Sequence, residues 1–276
     1  MEITNNINLN CKDWLNHVQN ILKSDGFCLV DNVIDIQSCE FGIKALKSSY
    51  KKIENLIGKD RLNFAGEVGV VRAPMAFDSY FFTLLENKII QIISEYLVDH
   101  TSILHLQNGF IFPKYKPDKD VSNFQNTFHT DYPRYHNGYI ASINILITFV
   151  DINESDEIFY VVKNTHQSKQ KPSQEYCSKN KISISAKAGS ILIFDSTLFH
   201  CAGRNMTDGN WYGVNHQFTR SFMKQQLDYV RVLGHKICLE QTDRVQQMLG
   251  YYTRVPTCLD DYYKEPKKRL YRGNQG

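Results

Sequence analysis

The chain has 276 residues, of which 42% are hydrophobic and 22% are charged. This balance supplies enough apolar surface for a folded core and excludes an intrinsically disordered chain. The formal net charge of +3 is small, and the basic residues are scattered along the chain, so we expect no nucleic-acid partner.

The cysteines and the first residues of the chain indicate its compartment. The seven cysteines contain no CxxC pair, so they are not typical of a disulfide framework or a zinc site. The segment MEITNNINLN has no basic region followed by an apolar stretch, and no window is apolar enough to span a membrane. We expect a cytoplasmic protein that binds a small molecule and no membrane.

The first part of the chain carries a helical signal. Apolar residues from Trp14 to Leu22 recur at the spacing of one helix face, and Gly26 can end that helix. A short strand follows over Phe27 to Val30. Further helices are predicted over 36–57 and over 79–98, where Asp78 or Ser79 can act as the cap.

The pattern changes after residue 98 to short β-rich runs. Many strands separated by loops, without interleaved helices, favour an antiparallel barrel or jelly roll. We therefore predict a single domain with a mainly helical buttress (1–98), a jelly-roll core (99–222) and a packing segment at the C-terminus (223–276). The predicted strands cover 103–112, 139–151, 158–162, 182–185, 190–195 and 211–219.

A possible metal site follows from three side chains. His129 and Asp131 are two residues apart, and in an extended strand this spacing sends both side chains to one face. His200 comes soon after the apolar strand that ends at Asp195, and Gly203 follows it. Two histidines and one carboxylate form the facial triad that leaves open positions on a metal ion. The His-x-Asp pair alone is common by chance, so His200 gives the prediction its weight.

Three segments resemble, in order and spacing, the phytanoyl-CoA dioxygenase family: FHTDYPRY, DINESDEIFYVVKNTHQ and AGSILIFDSTLFHCAGRN. The resemblance spans about residues 66 to 273. It implies a double-stranded β-helix that binds Fe(II), 2-oxoglutarate and O2, and that hydroxylates a substrate with release of succinate and CO2. Iron halogenases of this family lack the carboxylate that Asp131 supplies, so halogenation is disfavoured.

The resemblance also assigns roles to individual residues. His129, Asp131 and His200 match the iron ligands. The family usually has an arginine that binds 2-oxoglutarate at the position of Trp211, so the cation must come from elsewhere. Arg72, Arg204 and Arg220 are candidates, and Arg72 is preferred for its context VVRAP. The expected cofactor contacts are Gln107, Arg72, Asn144 and Arg204, and the expected substrate contacts are Arg134, Tyr132, Phe128 and Trp211.

Three functions remain open at this point. The first is an Fe(II)/2-oxoglutarate-dependent hydroxylase of a small polar metabolite. The second is a metal-binding jelly roll without turnover, which the missing arginine at Trp211 supports. The third is an iron oxygenase that does not use 2-oxoglutarate.

Overall fold

The computed structural model describes residues 5–116, 124–132 and 135–275. In these ranges the strands are β1 (Asn6–Ile7), β2 (Phe27–Val30), β3 (Val70–Arg72), β4 (Ile103–Phe112), β5 (Ser142–Thr148), β6 (Phe159–Val161), β7 (Ile182–Ser183), β8 (Ile191–Asp195), β9 (His200–Ala202) and β10 (Trp211–Thr219). The helices are α1 (Trp14–Asp25), α2 (Ile36–Ile57), α3 (Lys59–Phe64), α4 (Tyr80–Glu86), α5 (Lys88–Leu97), α6 (Gln174–Asn180), α7 (Tyr229–Leu233), α8 (His235–Leu239), α9 (Asp243–Met248) and α10 (Leu259–Tyr262).

The strands form two sheets. A large sheet has the order β1-β2-β8-β5-β10-β4-β3, and a small sheet has the order β7-β6-β9. All pairs are antiparallel except β1 with β2. Apolar side chains of both sheets, such as Leu146 and Val161, pack in one cluster between them. The predicted jelly roll of the double-stranded β-helix type is therefore confirmed, with a large sheet that stays open at its edges.

The two faces of strand β5 pack against two different layers of the molecule. Ile143, Ile145 and Ile147 face a core that they share with residues of the N-terminal helices, such as Leu46 and Ile90. The intervening positions face the small sheet, because successive side chains of a strand point to opposite faces. The helices thus cover the outer face of the large sheet, as predicted, and leave its inner face to the space between the sheets. None of the described helices is long and apolar enough to cross a bilayer.

The N-terminal part contributes more than helices. Besides β2, it supplies β3, which pairs with β4 at the edge of the large sheet and brings Arg72 opposite Asn108. The structure also contains strand β9 and helix α6, which the sequence did not predict. The segment over 223–276 places Val245, Met248 and Leu249 in the core below the large sheet.

The single helix predicted over 79–98 is wrong, because α4 and α5 are separated at Asn87. This residue has φ −59° and ψ 122°, outside the helical region, and its side chain accepts hydrogen bonds from the backbone N–H groups of Ile89 and Ile90. Its Nδ2 donates to the carbonyl of Val33 at 3.1 Å. Asn87 therefore caps α5 and ties it to the loop after β2.

We expect Asn87→Ala to lower the free energy of unfolding by about 1 to 2 kcal/mol, because it removes an N-cap and a tertiary hydrogen bond. Asn55→Ala is the matched control, since Asn55 is exposed within α2, where alanine is the better helix former. Urea unfolding of both variants measures the difference. Equal stability of the two variants would contradict the assigned role of Asn87.

Candidate metal centre

The two histidines of the predicted triad meet through their backbones. The N–H of His129 donates to the carbonyl of His200 at 3.0 Å, and the N–H of His200 donates to the carbonyl of His129 at 3.0 Å. Residues paired in this way present their side chains on the same face of the bridge. The imidazole rings accordingly lie with centroids 4.5 Å apart. Through this bridge His129 pairs with the outer edge of β9, which is an edge strand of the small sheet.

Asp131 completes the group from the same side. Its Oδ1 lies 3.6 Å from Nε2 of His129 and 3.7 Å from Nε2 of His200. One ligand atom from each residue can be chosen so that all three lie within 4.8 Å of one another. The motif does not lie in a continuous strand, since His129 forms an isolated bridge and Asp131 lies in a bend. The bend still directs the carboxylate toward both imidazoles.

Backbone carbonyls orient the two rings. Nδ1 of His129 is 2.7 Å from the carbonyl of Thr127, and Nδ1 of His200 is 2.9 Å from the carbonyl of Leu198. A carbonyl only accepts, so each Nδ1 carries the hydrogen and each Nε2 of a neutral ring carries a lone pair. Nε2 of His129 is buried and has no hydrogen-bond partner. Two lone pairs and a carboxylate therefore converge, and this is a donor set that can bind a metal cation.

The charges of the triad are strongly coupled. Burial disfavours the charged form of Asp131, but the imidazoles of His200 and His129 and the amide of Asn144 hold its pKa below the ordinary value. Burial also disfavours the charged form of His129, yet the nearby carboxylate of Asp131 raises its pKa. For His200 burial dominates and lowers the pKa. The carboxylate is therefore charged, and His200 is neutral and ready to bind a metal.

The triad lies in a cavity of about 230 Å³ between the sheets. Its wall contains amide and apolar side chains in equal number, and among the described residues that line it Arg72 is the one arginine or lysine. Besides the triad, the lining residues are Arg72, Leu106, Asn108, Phe110, Gln125, Thr130, Leu146, Phe159, Phe194, Asn215, Gln217 and Gln226.

A family model described as phytanoyl-CoA dioxygenase (PhyH) matches residues 22–211. The chain belongs to the phytanoyl-CoA dioxygenase family. A curated relative from Mycobacterium tuberculosis (strain ATCC 25618 / H37Rv), "Uncharacterized protein Rv1501", is 45% identical over 262 residues, which cover 95% of this chain and 96% of that protein.

Solved structures share the fold at low sequence identity. EctD from S. alaskensis, solved with 2-oxoglutarate and 5-hydroxyectoine, has a TM-score of 0.58 and 12% identity, covering 73% of this chain and 74% of EctD. SnoN, a non-heme alpha ketoglutarate dependent epimerase from nogalamycin biosynthesis, has a TM-score of 0.56 and 14% identity, covering 78% of this chain and 88% of SnoN. At these identities the likeness shows the architecture alone.

Of the three arginines considered as substitutes for the family's usual one, Arg72 lines the triad cavity. Its guanidinium is held by Glu67, with Nη2 to Oε1 at 2.7 Å. Arg204 instead lines a second cavity of about 390 Å³ beyond β9 and lies over the ring of Tyr115. Arg220 pairs with Asp99 at 3.1 Å, away from the cavity. The expected cofactor contact of Arg204 is therefore wrong.

Gln107 also differs from its prediction. It is fully buried on the helix-facing side of β4, where Nε2 donates to the carbonyl of Phe81 and Oε1 accepts from the N–H of Met75. The adjacent residues Leu106 and Asn108 face the cavity instead. Gln107, expected to contact the cosubstrate, is therefore not among the residues that line the triad cavity.

The expected substrate contacts are likewise redistributed. Trp211 is buried against Phe110 and Phe112, and its Nε1 donates to Oγ1 of Thr148 at 3.0 Å, so it packs rather than lines the triad cavity. Phe128 lines the second cavity. The ring of Tyr132 stacks on His136 outside the triad cavity. Arg134 lies outside the described residues.

Sequence reasoning missed three amides that the structure brings to the site. Asn108, Asn215 and Gln217 line the cavity from β4 and β10, where Asn108 pairs directly with Asn215. The available signal was the consecutive polar residues Asn215, His216 and Gln217 in the predicted strand over 211–219. Asn144, which was predicted to contact a cofactor, donates from Nδ2 to Oγ of Ser196 at 2.9 Å and is not among the residues that line the triad cavity.

Because metal binding needs the Nε2 lone pair of His129, protons compete with the ion for this ring. The raised pKa of His129 moves this competition to a higher pH than for an ordinary histidine. We expect the affinity for Co(II) to fall steadily as the pH is lowered from about 8 to about 6. Isothermal titration calorimetry across this range measures the effect, and an affinity independent of pH would contradict it. His17→Ala, at an exposed helix position, should bind Co(II) like the unmodified protein.

Proposed function

We propose that the chain is an Fe(II)/2-oxoglutarate-dependent oxygenase in which His129, Asp131 and His200 hold the iron. The observation that carries the proposal is the convergence of Nε2 of His129, Nε2 of His200 and Oδ1 of Asp131, with the first of these atoms buried and unpartnered. This donor set is the facial triad of non-haem iron oxygenases. When bound, iron and 2-oxoglutarate supply oxidising chemistry that releases succinate and CO2.

Arg72 is our candidate for binding the distal carboxylate of 2-oxoglutarate. It pairs across the sheet with Asn108, which pairs with Asn215, so three neighbouring strands bring these side chains side by side. All three line the triad cavity. A guanidinium matches a carboxylate geometrically and forms strong charge-assisted hydrogen bonds. The ion pair with Glu67 fixes the direction of the guanidinium before a ligand arrives.

We further propose hydroxylation of a C–H bond in a small polar metabolite, in the cytoplasm. Five amide side chains line the cavity, namely Asn108, Gln125, Asn215, Gln217 and Gln226. Asn108, Asn215 and Gln217 are buried, and buried amides need hydrogen-bonding partners, so these three favour a polar ligand over a hydrocarbon one. The absence of a disulfide among the cysteines, all of them within the described ranges and all free, agrees with a reducing compartment.

The deciding experiment loads the purified protein anaerobically with Fe(II) and 2-oxoglutarate and then admits oxygen. We expect a visible charge-transfer band before oxygen is added and succinate afterwards. Metal binding without the band or succinate would favour the non-catalytic metal-binding module. Oxygen uptake that depends on a substrate but not on 2-oxoglutarate would favour the third alternative. Untargeted comparison of metabolites with active protein and with His200→Ala then searches for the substrate.

Arg72→Leu tests the cosubstrate contact. We expect it to weaken 2-oxoglutarate binding about 10- to 100-fold, because it removes a charge-assisted hydrogen bond worth about 1.5 to 3 kcal/mol. Arg72→Lys should retain part of the affinity. Arg204→Leu is the control, since Arg204 lies at the second cavity. Titration of the charge-transfer band with 2-oxoglutarate gives the affinities, and a loss in Arg204→Leu but not in Arg72→Leu would reverse the assignment.

A further inference from the structure

Each face of the small sheet borders a cavity of its own. Phe159 of β6 and His200 of β9 line the triad cavity, whereas their neighbours Tyr160 and Cys201 line the second cavity. Successive side chains of a strand point to opposite faces, so the second cavity lies behind the metal site and not within it. The described residues that line one cavity are all different from those that line the other.

The wall of the second cavity contains an unused hydrogen-bond donor. Tyr160 is 5% exposed, and within the described ranges its hydroxyl is buried without a hydrogen-bond partner. Burial and the nearby carboxylate of Glu157 raise the pKa of this hydroxyl, so it keeps its proton, but the two groups do not form a hydrogen bond. A buried hydroxyl without a partner costs free energy, which an acceptor on a ligand would recover.

Two basic side chains also line this cavity, and each lies over an aromatic ring. Nζ of Lys181 is 3.8 Å from the centre of the Tyr160 ring. The guanidinium of Arg204 is 4.8 Å from the centre of the Tyr115 ring. Neither cation forms an ion pair with any described residue. The rings hold the two cations in place and leave their charges available to an anion.

Glu157 limits how much negative charge the cavity can accept. Its backbone is in the left-handed region, with φ 50°, which is uncommon for a residue other than glycine. The chain passes very close to it at Gly203, where a side chain would meet the carbonyl of Glu157 at 1.8 Å. Two basic side chains and one acidic one leave the lining with a single positive charge. Phe128 and Ala202 add apolar surface beside these charges.

We propose that the second cavity binds a small organic monoanion, with its carboxylate between Lys181 and the hydroxyl of Tyr160 and its apolar part against Phe128. This site goes beyond the proposed function, since it needs neither iron nor 2-oxoglutarate. A dianion carries one charge more than the lining compensates, so a single carboxylate is preferred. Because Cys201 follows His200 in β9, the anion would lie against the strand that carries a triad residue.

The test measures binding of para-fluorobenzoate to the full chain by fluorine NMR. We expect para-fluorobenzamide, which has a similar shape and no charge, to bind at least about fivefold more weakly. Succinate, a dianion, should displace the probe at least about fivefold more weakly than benzoate does. Equal binding of the amide and the carboxylate would overturn the proposal.

Two variants test the assigned contacts. We expect Lys181→Met and Tyr160→Phe each to weaken binding of para-fluorobenzoate about fivefold, because each removes one contact to the carboxylate. Lys179→Met is the matched control, since Lys179 pairs with Glu175 on the surface of α6 and does not line the cavity. Tyr160→Phe should keep the thermal stability of the unmodified protein. A loss of stability would show that the fold itself uses this hydroxyl, and would overturn its role in binding.

A last comparison separates the two cavities. We expect the same affinity for para-fluorobenzoate with and without Co(II), because the second cavity contains none of the triad residues. Lost binding in Arg72→Leu together with unchanged binding in Lys181→Met would place the anion in the triad cavity and overturn the proposal. The absence of succinate formation from 2-oxoglutarate would contradict the proposed function and leave this site unaffected.

Discussion

The site depends on keeping the carboxylate of Asp131 charged between two imidazoles in a partly buried position. Removing a carboxylate from water costs several kcal/mol unless other groups compensate. Positive charge beside the carboxylate, on a protonated imidazole or on a bound cation, provides that compensation, and the amide of Asn144 adds to it. The two histidines have opposite pKa shifts for the same reason. The carboxylate raises the pKa of His129 more than burial lowers it, whereas for His200 the effect of burial is the larger one.

The sequence predicted which residues form the triad better than it predicted which side of each strand faces the cavity. The triad residues and the limits of β4 and β10 are as predicted, because histidine, aspartate and apolar periodicity are visible in the chain itself. The side of β4 that meets the cavity was wrong. Every residue of β10, the partner of β4, is buried, so alternation of apolar and polar residues does not show which face is which. Only the pairing of Asn108 with Asn215 and Arg72 defines the inner face.

The exchange of an arginine for Trp211 has a structural explanation. The indole fills the space beside Phe110 and Phe112 and satisfies its own N–H on Thr148. The arginine that lines the triad cavity, Arg72, comes instead from β3, the edge strand that lies beyond β4 in the large sheet. The context VVRAP indicated Arg72 in the sequence, but its position beside Asn108 follows only from strand pairing. Under the function that we propose, Arg72 would supply the cation from a different position in the chain.

The mutual backbone bridge between His129 and His200 has a further consequence. Two backbone hydrogen bonds of 3.0 Å link His129 and His200, and both are formed by main-chain atoms that take no part in binding an ion. The conformational entropy of bringing these distant segments together is therefore lost during folding and not during metal uptake. An ion can then leave and return without refolding of the protein. The metal site is in this respect preformed by the fold, unlike the sites of small zinc domains, which are unfolded without their metal.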